Sequence, residues 1–178
     1  MGRFMQRVCT AVCVAGVLAL CAVADPGPDS LIVPAHSFSP PFSGGRLGIR
    51  WWDYGGSLMV FQDHLRLTDN IPNQRAYMWN RHPVMSADWE AELSFQIAGP
   101  QTLGGDGLAF WYAKDAGQEG PVFGSRDRWL GLGVFVDTYD NDGAHDNPRI
   151  SVVANDGTRS YSPATDGRDI ELGGCVAP

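Results

Sequence analysis

The chain is poor in cysteine, histidine and positive charge, and each shortage removes a class of function. Its four histidines, His36, His64, His82 and His145, are scattered and suggest no zinc site. Thirteen basic residues stand against 20 acidic ones. A surface so charged does not attract the phosphates of nucleic acid or of anionic lipid, so neither is expected as a partner. No long stretch of helical period runs through the chain, and no Asn-X-Ser/Thr acceptor for N-glycosylation occurs. Hydrophobic residues still make up 44% of the chain, enough to fold rather than stay disordered.

Only one long apolar run exists, and it is N-terminal. Arg3 and Arg7 precede Cys9–Ala22, and Ala22-Val23-Ala24 supplies small residues before Asp25-Pro26. Residues 1–24 therefore read as a secretory signal peptide. The run is shorter than the ~20 residues of a spanning helix, which favours cleavage over retention as an anchor. Removing it takes Cys9, Cys13 and Cys21 and two arginines, leaving 11 basic against 20 acidic residues, a net charge of −9. Cys175 is then the sole cysteine of the mature chain, in an oxidising compartment. That points to an intermolecular bond, a disulfide partner outside the chain as given, or a reactive thiol. No second apolar run follows, so the expectation is a lumenal chain as written.

What is abundant is glycine, 22 residues, with 12 prolines. Residues 25–48, rich in Pro, Gly and Ser, are expected to run extended. Trp89, Ala91, Leu93, Phe95 and Ile97 alternate with Glu90, Glu92, Ser94 and Gln96, the period of a strand with one face in the core. Leu108–Tyr112 and Val134–Val136 are apolar on both sides, as inside a sandwich, and Ile150–Val153 is a further strand. Asn155-Asp156-Gly157 reads as a hairpin turn. Short strands separated by Gly, Asp and Asn predict an all-β antiparallel sandwich. The six tryptophans read as core or sheet-packing residues.

Two loops carry the candidate chemistry. Gly104-Gly105-Asp106-Gly107 precedes an apolar strand, which leaves the Asp106 carboxylate at a strand end, where it can accept from two adjacent sugar hydroxyls; an ordinary Asx turn is the plainer alternative. The second loop, Asp137-Thr138-Tyr139-Asp140-Asn141-Asp142-Gly143-Ala144-His145-Asp146-Asn147, concentrates carboxylate and amide oxygens of the kind that bind calcium. Without a cation those carboxylates repel one another. A solvated acidic turn is the alternative. The EF-hand register fails, because it would put Thr138 at the first ligand position and Arg149 at the closing glutamate. Glu90 and Glu92 share a strand face, as paired glycosidase carboxylates can, but a solvated sheet face accounts for them better. His145 is expected to be exposed.

Around these loops the chain resembles the L-type animal lectins of the early secretory pathway, the mannose-binding cargo receptors of the intermediate compartment and their vesicular integral-membrane relatives. The resemblance is carried by Trp52-Asp53-Tyr54-Gly55-Gly56-Ser57, Asp88-Trp89-Glu90, Gly105-Asp106-Gly107-Leu108-Ala109-Phe110-Trp111-Tyr112, Gly120-Pro121-Val122-Phe123-Gly124, Gly131-Leu132-Gly133-Val134-Phe135-Val136-Asp137-Thr138-Tyr139 and Asp166-Gly167-Arg168. It implies a concanavalin-like β-sandwich (a jelly roll) over residues 25–178, with Ca2+ as cofactor and high-mannose N-glycans of cargo glycoproteins as ligands. It also implies residence in the ER, the ER–Golgi intermediate compartment and the Golgi. Position by position, Asp106 and Asn141 match sugar-binding residues. Asp137, the Tyr139 carbonyl and Asn141 match calcium ligands, and Asp140, Asp142, Asp146 and Asn147 match the ligands of a second calcium.

In that family the chain continues past the position of Cys175. There the resemblance implies a sugar-binding histidine, a further calcium aspartate, a sugar loop containing glycine, the disulfide partner of Cys175, a stalk and a membrane anchor. The expectation is thus the N-terminal portion of such a domain, incomplete at its C-terminal end. The leading function is glycan binding and release, with release on loss of calcium or on a fall in pH. The alternatives are a truncated chain that does not bind, and a glycoside hydrolase on the same sandwich.

Overall fold

The computed structural model describes residues 32–42, 51–99 and 105–177. Nine strands occur among these residues, with 3-10 turns at Pro34–His36 and Pro163–Thr165. The centre is a four-stranded antiparallel sheet in the order β5-β7-β8-β9, made of Gly107–Ala113 (β5), Leu130–Asp137 (β7), Arg149–Asp156 (β8) and Gly173–Val176 (β9). Two small antiparallel pairs stand apart from it. Trp52–Gly56 (β1) pairs with Ala76–Asn80 (β4), and Met59–Val60 (β2) with Leu65–Arg66 (β3). Glu119–Val122 (β6) folds back on itself through bridges to Ser125.

The three apolar segments predicted as strands form β5, β7 and β8, and both faces of their sheet are apolar. Alternation sends Ala109, Trp111, Phe135 and Val153 to one side. There Phe135, fully buried, meets the rings of Trp111, Phe123, Trp129 and Tyr161 at centroid distances of 4.9–5.7 Å. Val122 and Ile170 complete this core. Five packed aromatics give it its shape specificity, and Phe135 is its centre. Phe135→Ala is therefore expected to cost about 3–5 kcal/mol, read as a lowered urea midpoint with an unchanged m-value.

The opposite face presents Leu108, Phe110, Leu132, Val134, Val136 and Ile150. Trp89, Ala91, Leu93 and Phe95 lie across from it and line the same apolar gap. The alternation read in residues 89–97 thus turns four of the five expected side chains toward the gap; Ile97, also expected in the core, is 44% exposed, and Glu90 and Glu92 are exposed. The segment nevertheless forms no strand, because no described residue pairs with its backbone. The turn at Asn155–Gly157 also differs from expectation. Asn155 Oδ1 accepts the Gly157 N–H at 3.0 Å and Asp156 Oδ1 accepts the Thr158 N–H at 2.9 Å. The chain then travels through residues 158–172 before β9 returns to β8, so the Asx turn ends a strand without making a hairpin. Of residues 25–48, only 32–42 lie within the described part, and they are largely without regular structure apart from the turn at Pro34.

Candidate metal centre

Both loops singled out in the sequence meet at one end of the central sheet. The register places Gly107, the first residue of β5, opposite Asp137, the last of β7. One residue further out, the Thr138 N–H donates to the Asp106 carbonyl at 2.9 Å. Close pairing here depends on glycine. Gly107 has φ +137°, and a Cβ on it would stand 2.0 Å from the Val136 carbonyl oxygen. Asp106 is consequently held at the sheet end, exposed, beside the start of the acidic loop.

The loop is wound by its own acid side chains. Asp137 Oδ1 accepts the Tyr139 N–H at 3.0 Å. Asp140 accepts the N–H groups of Gly143 (2.6 Å) and His145 (3.1 Å), and Asp142 accepts that of Ala144 (2.8 Å). Asn147 Nδ2 donates to the Tyr139 carbonyl at 3.1 Å and more weakly to that of Asp137 at 3.4 Å. His145 is exposed, as expected, with its ring Nδ1 3.1 Å from Asp140 Oδ2. The flanking elements are strands, in keeping with the rejection of an EF-hand.

A second segment completes the centre. Asp127 fixes it by accepting the Tyr161 N–H at 2.8 Å and the Ser160 hydroxyl. The chain then turns through Pro163–Thr165, and Asp166 adopts a left-handed conformation with φ +48°. Gly167 lies flat against the Tyr161 ring, where a Cβ would come within 2.3 Å of Cε2. Tyr161 and Ile170 belong to the Phe135 core, so Asp166 is held between two core anchors.

This turn delivers the Asp166 carboxylate to the acidic loop. One oxygen each of Asp140, Asp142 and Asp166 lie within 4.8 Å of one another. Asp166 is only 5% exposed; the Asn141 and Asp142 N–H groups lie near enough to ease its charge, but neither carboxylate oxygen closes a well-formed hydrogen bond. Asp146 Oδ1 and Asn147 Oδ1 are likewise buried without partners. Burial, followed by repulsion from Asp142, raises the Asp166 pKa. Burial, followed by repulsion from Asp166 and Asp106, pushes Asp137 up to about 6. Buried carboxylates that repel one another are costly unless a cation neutralises them. Ligands of one calcium at 2.3–2.6 Å stand up to about 5 Å apart across the ion, so the observed spacing fits one such ion among these three side chains.

The sequence-predicted residues divide at this point. Asp140 and Asp142 are gathered around Asp166, with Asp137 close enough to feel its charge. Asn141 lies exposed between Asp140 and Asp142. Asp146 is committed elsewhere: Asp146 Oδ2 receives Arg168 Nη2, and Arg149 Nη1 stands 3.7 Å away. Asp166 itself was not among the predicted ligands. The resemblance implied a further calcium aspartate past the position of Cys175, whereas the turn after β8 already supplies a carboxylate. No spacing rule signals it, because it lies 24 positions past Asp142.

Residues 30–178 match the family model "Legume-like lectin family". The human VIP36-like protein is 45% identical over 148 residues, which cover 80% of this chain and 42% of that protein. Human vesicular integral-membrane protein VIP36 is 41% identical over 147 residues, covering 80% and 41%. The chain thus spans less than half the length of the curated relatives it matches. Among solved structures, the VIP36 exoplasmic/lumenal domain in its Ca2+/Man3GlcNAc-bound form aligns with a TM-score of 0.73 and 39% identity, over 81% of this chain and 59% of that one. The Emp47p carbohydrate recognition domain aligns with a TM-score of 0.59 at 16% identity over 81% and 63%, a likeness of fold.

Proposed function

Since the chain belongs to the legume-like lectin family and has its all-β sandwich fold, we propose that it binds high-mannose N-glycans of glycoproteins in a calcium-dependent manner. The observation that carries this reading is the buried Asp166 carboxylate, neither oxygen of which closes a well-formed hydrogen bond, gathered with Asp140 and Asp142. Calcium, when bound, supplies the positive charge that these side chains lack. Asp140, Asp142 and Asp166 would hold it, with Asp137, the Tyr139 carbonyl and Asn141 contributing further oxygens. Bracing the loop in this way would hold Asn141 in one position, and such preorganisation lowers the ordering cost of sugar binding. Asp106 and Asn141 would then accept from and donate to sugar hydroxyls. No bond is made or broken, and the activity is binding and release.

The same reading assigns residues 1–24 to a signal peptide and residues 25–178 to the N-terminal portion of the lectin domain. It places the protein in the ER, the intermediate compartment and the Golgi as a receptor for glycoprotein cargo. No helix of the described residues is long and apolar enough to cross a membrane.

The test is retention of the full chain on immobilised high-mannose glycopeptide. Binding is expected in calcium and elution in excess EDTA. Asp106→Ala is expected to abolish retention while leaving calcium uptake intact, because its carboxylate lies outside the three-carboxylate group. Retention that ignores EDTA would defeat the proposal. Calcium uptake with no retention would favour the alternative of a chain that folds without binding glycan.

A further inference from the structure

The turn that carries Asp166 takes its shape from its own backbone and its place from one aromatic ring. The Asp166 N–H donates to the Pro163 carbonyl at 3.1 Å, the Gly167 N–H to that of Ser162 at 3.0 Å and the Arg168 N–H to that of Thr165 at 2.9 Å. These bonds close the turn on itself but do not fix where it stands against the sheet. The Tyr161 ring does. Gly167 rests on it so closely that any Cβ there would strike the ring. The ring in turn stands edge-on to Phe135, with centroids 5.5 Å apart and planes at 83°. Phe135 and Asp137 are two residues apart on β7, so they share one face of the sheet. A short series of rigid contacts therefore runs from Asp137 through Phe135, Tyr161 and Gly167 to Asp166. The phenol lies in the field of the same centre. Burial, followed by the charges of Asp137, Asp166 and Asp106, pushes it well above its ordinary pKa.

We propose that Tyr161 is a positioning residue for calcium binding, its ring setting the distance between the Asp137 and Asp166 carboxylates. The inference rests on the calcium reading given above. Groups that share one ligand must be held within about 0.5 Å of the productive arrangement, and a turn bonded only to itself does not meet that demand. A flat ring pressed on a glycine does, because neither partner has a flexible side chain at the contact. An aliphatic residue in place of Tyr161 would let the turn sink toward the core and take Asp166 with it. Loss of a group that orients a metal ligand typically costs about 10–100-fold in affinity.

The test separates ring, hydroxyl and core. Calcium affinity of the full chain is measured by isothermal titration, well below the melting temperature of each variant. Tyr161→Leu is expected to weaken binding about 10–100-fold. Tyr161→Phe keeps the ring and is expected to bind as the wild type does. Trp111→Leu loosens the same core through its contacts with Trp129 and Phe135, at 5.0 and 5.2 Å, and is expected to lower the melting temperature without weakening calcium. Wild-type affinity in Tyr161→Leu overturns the inference. So does an equal loss in Tyr161→Phe, which would assign the effect to the hydroxyl, or an equal loss in Trp111→Leu, which would make it a general effect of packing. Each of these leaves the calcium reading standing, whereas no uptake by the wild type overturns both. If Tyr161→Leu does not fold, Gly167→Ala decides. Its added Cβ meets the ring and lifts the turn, so affinity should fall by a similar factor, and an unchanged affinity overturns the inference.

Discussion

Asp166→Asn is expected to abolish measurable calcium uptake at concentrations that saturate the wild type, and to raise the melting temperature of the calcium-free chain. The two effects share one cause. In the absence of metal the Asp166 carboxylate is buried and repelled by Asp142, and the nearby Asn141 and Asp142 N–H groups do not offset this, so its charge opposes folding. A neutral amide of nearly the same shape removes that repulsion. With metal present the same charge is an attraction, and calcium affinity depends steeply on how many charged ligands a site offers. Loss of one of three gathered carboxylates is expected to weaken binding on the order of 100-fold or more. Wild-type chain at a calcium concentration 100 times its Kd gains about 2.7 kcal/mol of stability, and the variant should gain almost none of it. Isothermal titration paired with melting curves in EDTA and in calcium reads both signs. If Asp166→Asn lowered the EDTA melting temperature and kept the calcium shift, Asp166 would be a structural residue and the centre would have to be built without it.

Residues that act within one strand were readable in the sequence, and residues that act across the fold were less so. Leu108–Tyr112, Val134–Val136 and Ile150–Val153 announce β5, β7 and β8, because an apolar run between Gly- and Asp-rich turns has few other uses. The acidic loop is equally local, and its Asx-wound geometry follows from having Asp or Asn at six of its eleven positions. Residues 89–97 show the limit. Alternation fixes which side chains point inward, and Trp89, Ala91, Leu93 and Phe95 do so. Alternation does not supply a hydrogen-bonding neighbour, and a strand is defined by one. Asn155–Gly157 shows the limit again: the residues specify a turn, but whether the next segment pairs back at once depends on what packs beneath it. Here Tyr161 and Ile170 enter the Phe135 core first. Asp166 and Arg168 came last for the same reason. Their partners lie some twenty residues away, and only the path set by Asp127, Tyr161 and Gly167 brings them to the loop.

Lowering the pH from 7 to 5 is expected to stabilise the calcium-free chain through Asp137 and to loosen its hold on calcium. Burial, then the nearby charges of Asp166 and Asp106, raise the Asp137 pKa to about 6, whereas an unfolded chain has it near 3.9. Between those two values the folded chain keeps a proton that the unfolded chain releases. Stability therefore falls as pH rises through this window and is lowest, for this group, above it. A difference of about two units corresponds to roughly 2–3 kcal/mol. Calcium reverses the slope, because the ion competes with the proton for the same carboxylate. Below about pH 6 each further unit should cost up to tenfold in calcium affinity from Asp137 alone, and Asp166, shifted in the same direction, adds to it. Melting curves at pH 4.5, 5.5, 6.5 and 7.5, in EDTA and in saturating calcium, should cross: the EDTA series falls with rising pH while the calcium-induced shift grows. Asp137→Asn should flatten the EDTA series in that window. An EDTA series that instead rises steadily from pH 4.5 to 6.5 would mean that Asp137 is charged and well partnered without metal. The coupling of sheet end, buried carboxylates and calcium would then not be what sets glycan release.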